Sequence, residues 1–383
     1  MVKRIIGLLN PDPREQKNMV FPLVLFLLIP PLVSIMFGVQ YTEKSVGHVP
    51  TAVLDYDHSN LSNSLVNEFK ANDNFEVKYF IDNEQVLKEL LRDGKVAAGV
   101  VIPGNFSQDL LNGKGPRVLA IYDGSQMAMA GSAKGKFSEI LATVRGGYLL
   151  KIMEGKAGIM PEAAPKYVQP FSFTTRTLGN SAKSYVNYYI QGMIINVIQV
   201  GLVILALEMG RSKRENFKSL WTKGVILGGL GIAQTVVSLG IQIFVFSTPY
   251  HGSIAAGFVL TALFCIGMAS LGLLASVLIR DQRTVIYYLP TLVTATLLFS
   301  GYTFPLISMP AAFNSIASVM PFLYYGETMR RLSLLGLDFN HVIPQMLWLG
   351  KFVLLIWAVL LAACIWKKHN LTPSLQEKEG SPA

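Results

Sequence analysis

Long apolar runs with few charges constrain this chain more than any other feature of its sequence. A helix of about 20 apolar residues crosses the roughly 30 Å hydrocarbon core of a bilayer. We expect such spans at residues 19–40, 184–207, 223–247, 253–279, 284–304 and 342–366. Only 15% of the residues are charged, against roughly 25% in soluble domains. The sequence therefore predicts an integral membrane protein made of α-helical spans.

The borders of the first run decide whether it is a signal peptide or a lasting span. It follows the polar stretch NPDPREQKN and ends in GVQYTEK, without a small-residue cleavage site of the A-x-A type. We therefore interpret residues 19–41 as an uncleaved span, which Pro30 and Pro31 should kink or break locally. Residues 1–18 carry an apolar face beside basic residues, which predicts a helix on the cytoplasmic membrane surface.

The basic residues indicate how the spans are oriented. They cluster before the first run, between the second and third, between the fourth and fifth, and after the sixth. All these clusters lie on one side if the N-terminus is cytoplasmic, as the positive-inside rule requires. We expect both termini, including the tail 367–383, in the cytoplasm. The net charge of +9 does not indicate a nucleic-acid partner, because no basic stripe is interleaved with aromatic residues.

The segment 42–180, between the first two spans, has the composition of a soluble domain. One crossing separates it from the cytoplasmic N-terminus, so it should be extracytoplasmic. Strand-like and helix-like stretches alternate in it, which favours a small α/β domain. We expect strands in PTAVLDY, FEVKYF, VAAGVVIP, RVLAIYDG and YVQPFSFTTRTL, and helices in SNLSNSLVNEFKAN, DNEQVLKELLRDGK, NFSQDLLNG and residues 126–155.

Motifs that would carry chemistry have simpler explanations. GSAKGKFS at 131–138 lacks the glycine spacing of a phosphate loop and has no Ser or Thr after its second lysine. The spacing of His48, His58, Asp55 and Asp57 matches no metal motif; this stretch is better read as a turn and an N-cap. We expect no catalytic residue, metal site or cofactor in this chain.

A single charge, Lys351, lies well inside a predicted span. Such charges usually mark a transport pathway, so Lys351 is a candidate contact for substrate or lipid; the alternative is snorkelling or local pairing. The spans lack buried acids, which counts against a proton- or sodium-coupled carrier. The energy for any transport should then come from a partner.

The cytoplasmic loop 208–222 is the candidate docking surface for such a partner. It is long for a simple turn, it mixes basic and acidic residues, and its aromatic and aliphatic residues share a helical face. The alternative is a basic loop that only sets the topology. The candidate contact residues are Glu208, Arg211, Arg214, Glu215, Phe217 and Leu220.

The fifth predicted span ends in SGYTFPLISMP, where Gly301, Pro305 and Pro310 should break the helix. The next stretch is apolar, yet it contains Glu327 and Arg330, which are three residues apart and placed to pair on a helix.

Two stretches resemble the transmembrane subunit of a type-2 ATP-binding-cassette (ABC) exporter, of the branch with a large extracytoplasmic domain after the first span. VPTAVLDYDHSNLSNSLV, with GKVAAGVVIPGNFSQDLLNGKGPRVLAIYDGS, is similar to the outer domain of that family. SGYTFPLISMPAAFNSIASVMPFLYYGETMRRLSLLG resembles its fifth-span exit and the hairpin that follows. The resemblance implies that residues 305–340 form a hairpin re-entering the outer leaflet, with a second break at Pro321.

The resemblance also implies the architecture and the partners. The fold would be a membrane α-helical bundle of six transmembrane helices, with helices 2–6 in residues 181–366, and an inserted extracytoplasmic α/β domain. Separate cytoplasmic ATPase subunits would bind ATP and Mg, and a second permease copy or homologue would complete the dimer. In a two-membrane envelope, a periplasmic adaptor and an outer-membrane channel would join them.

The docking loop departs from the family pattern, because EMGRSKRENFKSLWTKG lacks its Gly-Thr-x-Glu core. The implied function is export of a hydrophobic or amphiphilic compound, drug or lipid-like, across the bacterial cytoplasmic membrane. Two alternatives stay open at this point: an ion-gradient-driven carrier or channel, and a ligand-sensing membrane protein.

Overall fold

The structure, a computed structural model, consists of a helical unit from Met1–Lys44 and Thr177–Ala383 and an α/β unit from Ser45–Arg176. Helix α1 (Pro13–Gln40) opens the helical unit and continues through Pro30 and Pro31, which contradicts a local break; the alternative, a kink, stays a prediction. Three predicted segments lie largely outside the described residues. They are the surface helix up to residue 12, the strand in YVQPFSFTTRTL apart from Leu178, and the tail beyond residue 371. The structure describes residues 13–41, 47–112, 114–155, 178–180, 184, 186–210, 216–279 and 281–371.

The α/β unit contains a four-stranded sheet with strand order β2-β1-β3-β4. β1 pairs in parallel with β2 and β3, with Thr51 opposite Ala98, and β4 runs antiparallel to β3. These elements confirm the predicted alternation of strands and helices. They are β1 (Val49–Asp55), α2 (Asn60–Ala71), β2 (Phe75–Ile81), α3 (Glu84–Arg92), β3 (Ala98–Ile102), α4 (Phe106–Leu111), β4 (Leu119–Tyr122) and α5 (Met127–Gly155).

Apolar side chains cover both faces of this sheet. On one face the Phe69 ring lies between the rings of Phe75 and Phe137, at centroid distances of 5.3 Å each. On the other face Leu87 of α3 is fully buried over Gly99, where a β-carbon would lie 2.7 Å from the leucine methyl. Burying one such leucine contributes about 1.5–3 kcal/mol, so this side chain helps to hold α3 against the sheet.

The helical unit continues with α6 (Gln191–Met209), α7 (Phe217–Phe244), α8 (Ile254–Leu278), α9 (Gln282–Phe299) and, near its end, α12 (Ile343–Leu371). Five of the described helices are long and apolar enough to cross a membrane. They correspond to the first, second, third, fourth and sixth predicted spans. The apolar part of α9, Thr284–Phe299, is shorter than these.

Short helices fill the chain between α9 and α12, where the sequence predicted a broken segment. They are a 3₁₀ turn (Leu306–Ser308), α10 (Ala311–Ser318), a π turn (Leu323–Glu327), α11 (Thr328–Leu335) and a second 3₁₀ turn (Phe339–Val342). A further π turn, Val186–Ile190, leads into α6.

Contacts between the long helices fix their relative directions. Gln234 of α7 bonds to Phe26 of α1, and further along both helices Gln242 bonds to Ser34, so α1 and α7 are parallel. In α6 and α9 the order is reversed, because Gln199 contacts Val293 while the earlier Gly192 contacts Tyr302 just after α9.

α6, α8 and α12 share the opposite direction. A β-carbon on Gly272 of α8 would lie 2.7 Å from Ala206 of α6, and four residues later Ser276 meets Gly210, so these two helices are parallel. α12 runs in the same direction as α8, since Phe352 packs on Gly267 and, further along both helices, Trp357 donates to Ser270. α7 and α8 are antiparallel, because Gly224 of α7 approaches Ser270 of α8 while the later Gly228 approaches the earlier Ile266. The helices therefore alternate in direction along the chain: α1, α7 and α9 point one way, and α6, α8 and α12 the other.

Candidate functional site

The connection between α6 and α7 is shorter than the predicted docking loop 208–222. α6 ends at Met209 and α7 begins at Phe217, so the connection is Gly210–Asn216. Glu208 is half-buried in the last turn of α6, and Leu220 is buried in the first turn of α7, with Phe217 beside it. Arg211, Arg214 and Glu215 lie outside the described residues.

Side-chain hydrogen bonds satisfy backbone groups at both ends of this connection. The Lys223 side chain, 4% exposed, donates from Nζ to the backbone oxygen of Met209 at 2.9 Å. A cation at this place satisfies a terminal carbonyl of α6 and opposes the negative end of its dipole. At the other end, Asn216 Oδ1 caps α7 by accepting from the amide of Ser219 at 2.8 Å. In the sequence, Lys223 is only a basic residue at the start of the third predicted span, with no sign of this bond.

The predicted break residues occupy the turns after α9. Gly301 has φ +80°, a left-handed conformation that side-chain-bearing residues rarely adopt. Pro305 and Pro310 immediately precede the first 3₁₀ turn and α10, and Pro321 opens the helical turns that follow. Proline suits such starting positions because the missing amide would have no helical acceptor there.

Arg330 of α11 contacts aromatic rings. Its Cζ lies 4.1 Å from the ring centroid of Tyr188 and 4.5 Å from that of Tyr302, and Nη1 donates to the Tyr302 backbone oxygen at 2.9 Å. Among the ion pairs of the described residues, none joins Arg330 to Glu327. The predicted pairing is therefore wrong, because the two π faces and the carbonyl attract the guanidinium instead.

Tyr302 joins three segments of the helical unit. It is 1% exposed; its hydroxyl donates to the backbone oxygen of Tyr188 at 3.0 Å and accepts from the amide of Gly192 at 2.8 Å. A β-carbon on Gly192 would lie 2.1 Å from the Tyr302 ring, so only glycine fits there. We call Tyr188, Gly192, Tyr302 and Arg330 the Tyr302 cluster; it ties the start of α6, the exit of α9 and α11 together.

An apolar cavity of about 390 Å³ lies between α8, α9 and α10. Met268, Leu292 and Met320 are among its lining residues, and Phe299 stacks on Phe313 at 5.7 Å where α9 meets α10. A cavity of this size and lining suits an apolar group rather than a charged one.

A buried polar cluster lies behind this cavity. Gln199 of α6 donates from Nε2 to Asn196 Oδ1 at 2.7 Å, to the backbone oxygen of Val293 at 3.1 Å and to Thr296 Oγ1 at 3.1 Å. Val293 and Thr296 also line the cavity. The cluster therefore links α6 to the cavity wall.

The remaining candidate residues are Lys351 and the polar residues that precede α2. Lys351 lies exposed on α12. In the α/β unit Ser59 caps α2 in a capping box with Ser62, which confirms the predicted N-cap. Asp57 accepts from both the amide and the hydroxyl of Ser107, and Asp55 accepts from Ser62 Oγ at 2.6 Å. These carboxylates therefore serve local structure.

Comparisons with known proteins give one family. A family model described as "ABC-2 family transporter protein" matches residues 19–362. The chain is 25% identical over 304 residues to "Probable multidrug ABC transporter permease YbhS" of Escherichia coli (strain K12), covering 75% of this chain and 76% of that protein. No solved structure matches.

Two further relatives come from the same organism. "Inner membrane transport permease YhhJ" is 22% identical over 338 residues, which cover 82% of this chain and 84% of that protein. "Probable multidrug ABC transporter permease YbhR" is 21% identical over 321 residues, which cover 80% of this chain and 84% of that protein.

Proposed function

The chain belongs to the ABC-2 family of transporter proteins, and from this premise we propose that it exports a hydrophobic or amphiphilic compound, drug or lipid-like. As a member it is the membrane permease subunit of an ABC exporter and not an enzyme, and ATP hydrolysis belongs to a separate ABC ATPase subunit. The observation that carries the proposed cargo is the apolar cavity between α8, α9 and α10. Two relatives named for multidrug transport support the same class.

The alternating helix directions support six crossings of a bacterial cytoplasmic membrane. α9 has 18 residues and is about 27 Å long, close to the roughly 30 Å of a hydrocarbon core. With α9 counted as a span, α1, α7 and α9 run outward and α6, α8 and α12 run inward. Both termini are then cytoplasmic and the α/β unit is extracytoplasmic, in agreement with the distribution of basic residues.

The ATPase, with its ATP and Mg, docks at the connection Gly210–Asn216 and the helix ends beside it. The Lys223 bond supports this placement, because it ties the start of α7 to the end of α6, so that a displacement of the loop reaches both helices. Glu208, Phe217 and Leu220 border that surface.

A second permease copy or homologue packs against α9. This helix exposes Tyr287, Tyr288 and Leu292 by 74%, 67% and 65%, with Thr291 on the same face. Tyrosine and threonine hydroxyls find better partners in a protein interface than among lipid tails. In a two-membrane envelope, a periplasmic adaptor and outer-membrane channel would receive the cargo.

Residues 305–340 form a re-entrant hairpin in the outer leaflet, and the Tyr302 cluster closes the outer end of the pathway. Its contacts support this role, because opening would have to separate α11 from the start of α6. Lys351, exposed on α12, contacts a lipid head group or the substrate.

Reconstitution tests the proposal. The permease, with the ABC ATPase that co-purifies with it, is placed in liposomes with a lipophilic fluorescent dye, and dye movement is followed with ATP or with an imposed ion gradient. We expect movement that needs ATP and survives ionophores. Movement driven by the gradient without ATP would overturn the proposal, and would favour an ion-driven carrier.

A further inference from the structure

Two consecutive prolines in α1 remove the hydrogen-bond donors of two carbonyl groups. Pro30 and Pro31 have no amide hydrogen, so the backbone oxygens of Phe26 and Leu27, four residues earlier, have no helical donor. Gln234 of α7 supplies it, since Nε2 donates to the Phe26 oxygen at 2.7 Å and to the Leu27 oxygen at 2.6 Å. One side-chain amide of a neighbouring helix therefore supplies the missing donors to both carbonyl groups.

A second joint lies about two turns further along the same pair of helices. Gln242 donates from Nε2 to Ser34 O at 2.6 Å and to Ser34 Oγ at 2.9 Å, and Ser34 Oγ donates to Ser238 O at 2.7 Å. All three residues are buried. The parallel helices α1 and α7 are thus joined by two amide contacts on the same face of each helix.

We propose that Gln234 is a positioning residue that makes α1 and α7 move as one body during transport. This rests on the proposed function, in which the ATPase acts on the loop before α7. α7 begins directly after that loop, and α1 leads along the chain into the α/β unit. The pair therefore carries a displacement of the docking loop to the span that enters the outer domain.

The lipid environment opposes sliding of α1 against α7 at the Gln234 contacts. Away from water, Phe26 O and Leu27 O have no replacement donor once Gln234 moves away. Sliding α1 against α7 by one residue would leave these carbonyls without partners. An apolar contact between the two helices would resist such sliding less, because it has no fixed register.

A triple variant separates this role from simple stability. Gln234→Leu alone leaves two carbonyls unsatisfied, and this can prevent folding. Adding Pro30→Ala and Pro31→Ala restores the amides that bond to Phe26 O and Leu27 O within α1. The triple variant should then reach the membrane and keep the thermal midpoint of the parent within a few degrees, but lack the Gln234 contacts, so that α1 and α7 keep only their packing and the Gln242–Ser34 contacts.

The expected result is uncoupling. In liposomes containing the complex with its ATPase, the triple variant should hydrolyse ATP at near the parent rate, but move at least about fivefold less lipophilic dye per ATP, a ratio at the lower end of typical coupling between sites. The control variant, Pro30→Ala with Pro31→Ala and Gln234 retained, should stay near the parent ratio. A triple variant that moves as much dye per ATP as the control overturns the proposal.

A distance measurement gives a second readout that stability alone would not change. Spin labels at Met36→Cys and Val236→Cys, both exposed, report the separation of α1 and α7, after Cys265 and Cys364 are replaced. The distance should be the same with and without ATP–vanadate in the parent, and should change in the triple variant. A parent distance that shifts with the nucleotide overturns the rigid pair. If the parent complex moves no dye with ATP, the proposed function fails instead, and the two failures are distinguishable.

Discussion

The α/β unit and the helical unit satisfy their polar groups by different means. Among the described residues of the α/β unit there are five ion pairs, such as Lys88–Glu84 at 2.9 Å, mostly between exposed side chains. In the described part of the helical unit, buried neutral amides bond across helices, and Gln199, Gln234 and Gln242 donate to backbone oxygens. The difference teaches that the first unit has the surface of a protein in water, whereas the second fixes the register of its helices with polar contacts inside lipid.

The comparison also concerns what apolar burial does. In water, removing a side chain from solvent is the main source of stability, whereas lipid tails are as apolar as leucine. A large apolar truncation should therefore cost most in the core of the α/β unit. In the helical unit, exposed apolar residues such as Phe244 should tolerate it.

Phe69→Ala should have the largest effect. The ring is fully buried between Phe75 and Phe137, and such truncations cost about 3–5 kcal/mol through lost burial and the cavity left behind. Hydrogen exchange on the full-length protein in nanodiscs should show faster exchange of β1 and β3 amides, with helical-unit amides unchanged. Phe80→Ala, at an exposed ring, is the matched control. If the two variants had equal effects, burial of the Phe69 ring would not be what stabilises the α/β unit.

Lys223→Met should have an intermediate effect, confined to the helical unit. It keeps the shape of the side chain but removes the donor to Met209 O, and a hydrogen bond from a charged group contributes about 1.5–3 kcal/mol. We expect a lower thermal midpoint in nanodiscs and weaker stimulation of the ATPase. Lys351→Met, at an exposed lysine, is the control and should change neither. If the midpoint of Lys223→Met equals that of Lys351→Met, the buried lysine does not anchor the loop.

The two units also differ in how much of them the sequence predicts. In the α/β unit the local signals sufficed, because strands such as β3 and caps such as Ser59 depend on neighbours in the chain. In the helical unit the spans are recognisable from length and hydropathy. Each spanning helix carries apolar residues on all its sides, so its hydropathy has no helical period that would show which face is buried.

The contacts that the sequence did not predict in the helical unit join residues far apart in the chain, or replace a pairing expected between neighbours on one helix. Gln234 and Phe26 are 208 residues apart, and the two prolines gave the only signal that α1 needs an outside donor. The i, i+3 rule predicted that Arg330 would pair with Glu327, but Tyr188 and Tyr302, from other segments, contact it instead. Spacing along one helix does not reveal such competitors.

Asp57→Asn should have the smallest effect, and it returns to the α/β unit. Burial alone would raise the pKa of Asp57, but hydrogen bonds from Ser59 and Ser107 together with the charge of His58 lower it below the usual value. A depressed folded-state pKa gives stability that is present above the unfolded-state pKa and is lost as the pH falls through the folded-state pKa. The variant also weakens the contact with Ser107, at a cost of about 1 kcal/mol near neutral pH.

The parent should therefore lose part of its advantage over Asp57→Asn as the pH falls below about 4, near the ordinary pKa of aspartate. Hydrogen exchange of the α/β unit between neutral and acidic pH measures this advantage. Asp82→Asn, at an exposed position, is the control and should cost the unit less stability than Asp57→Asn near neutral pH. A constant difference between the parent and Asp57→Asn across that range would show that the carboxylate charge does not contribute. The shape of the side chain at the start of α4 would then account for the whole effect.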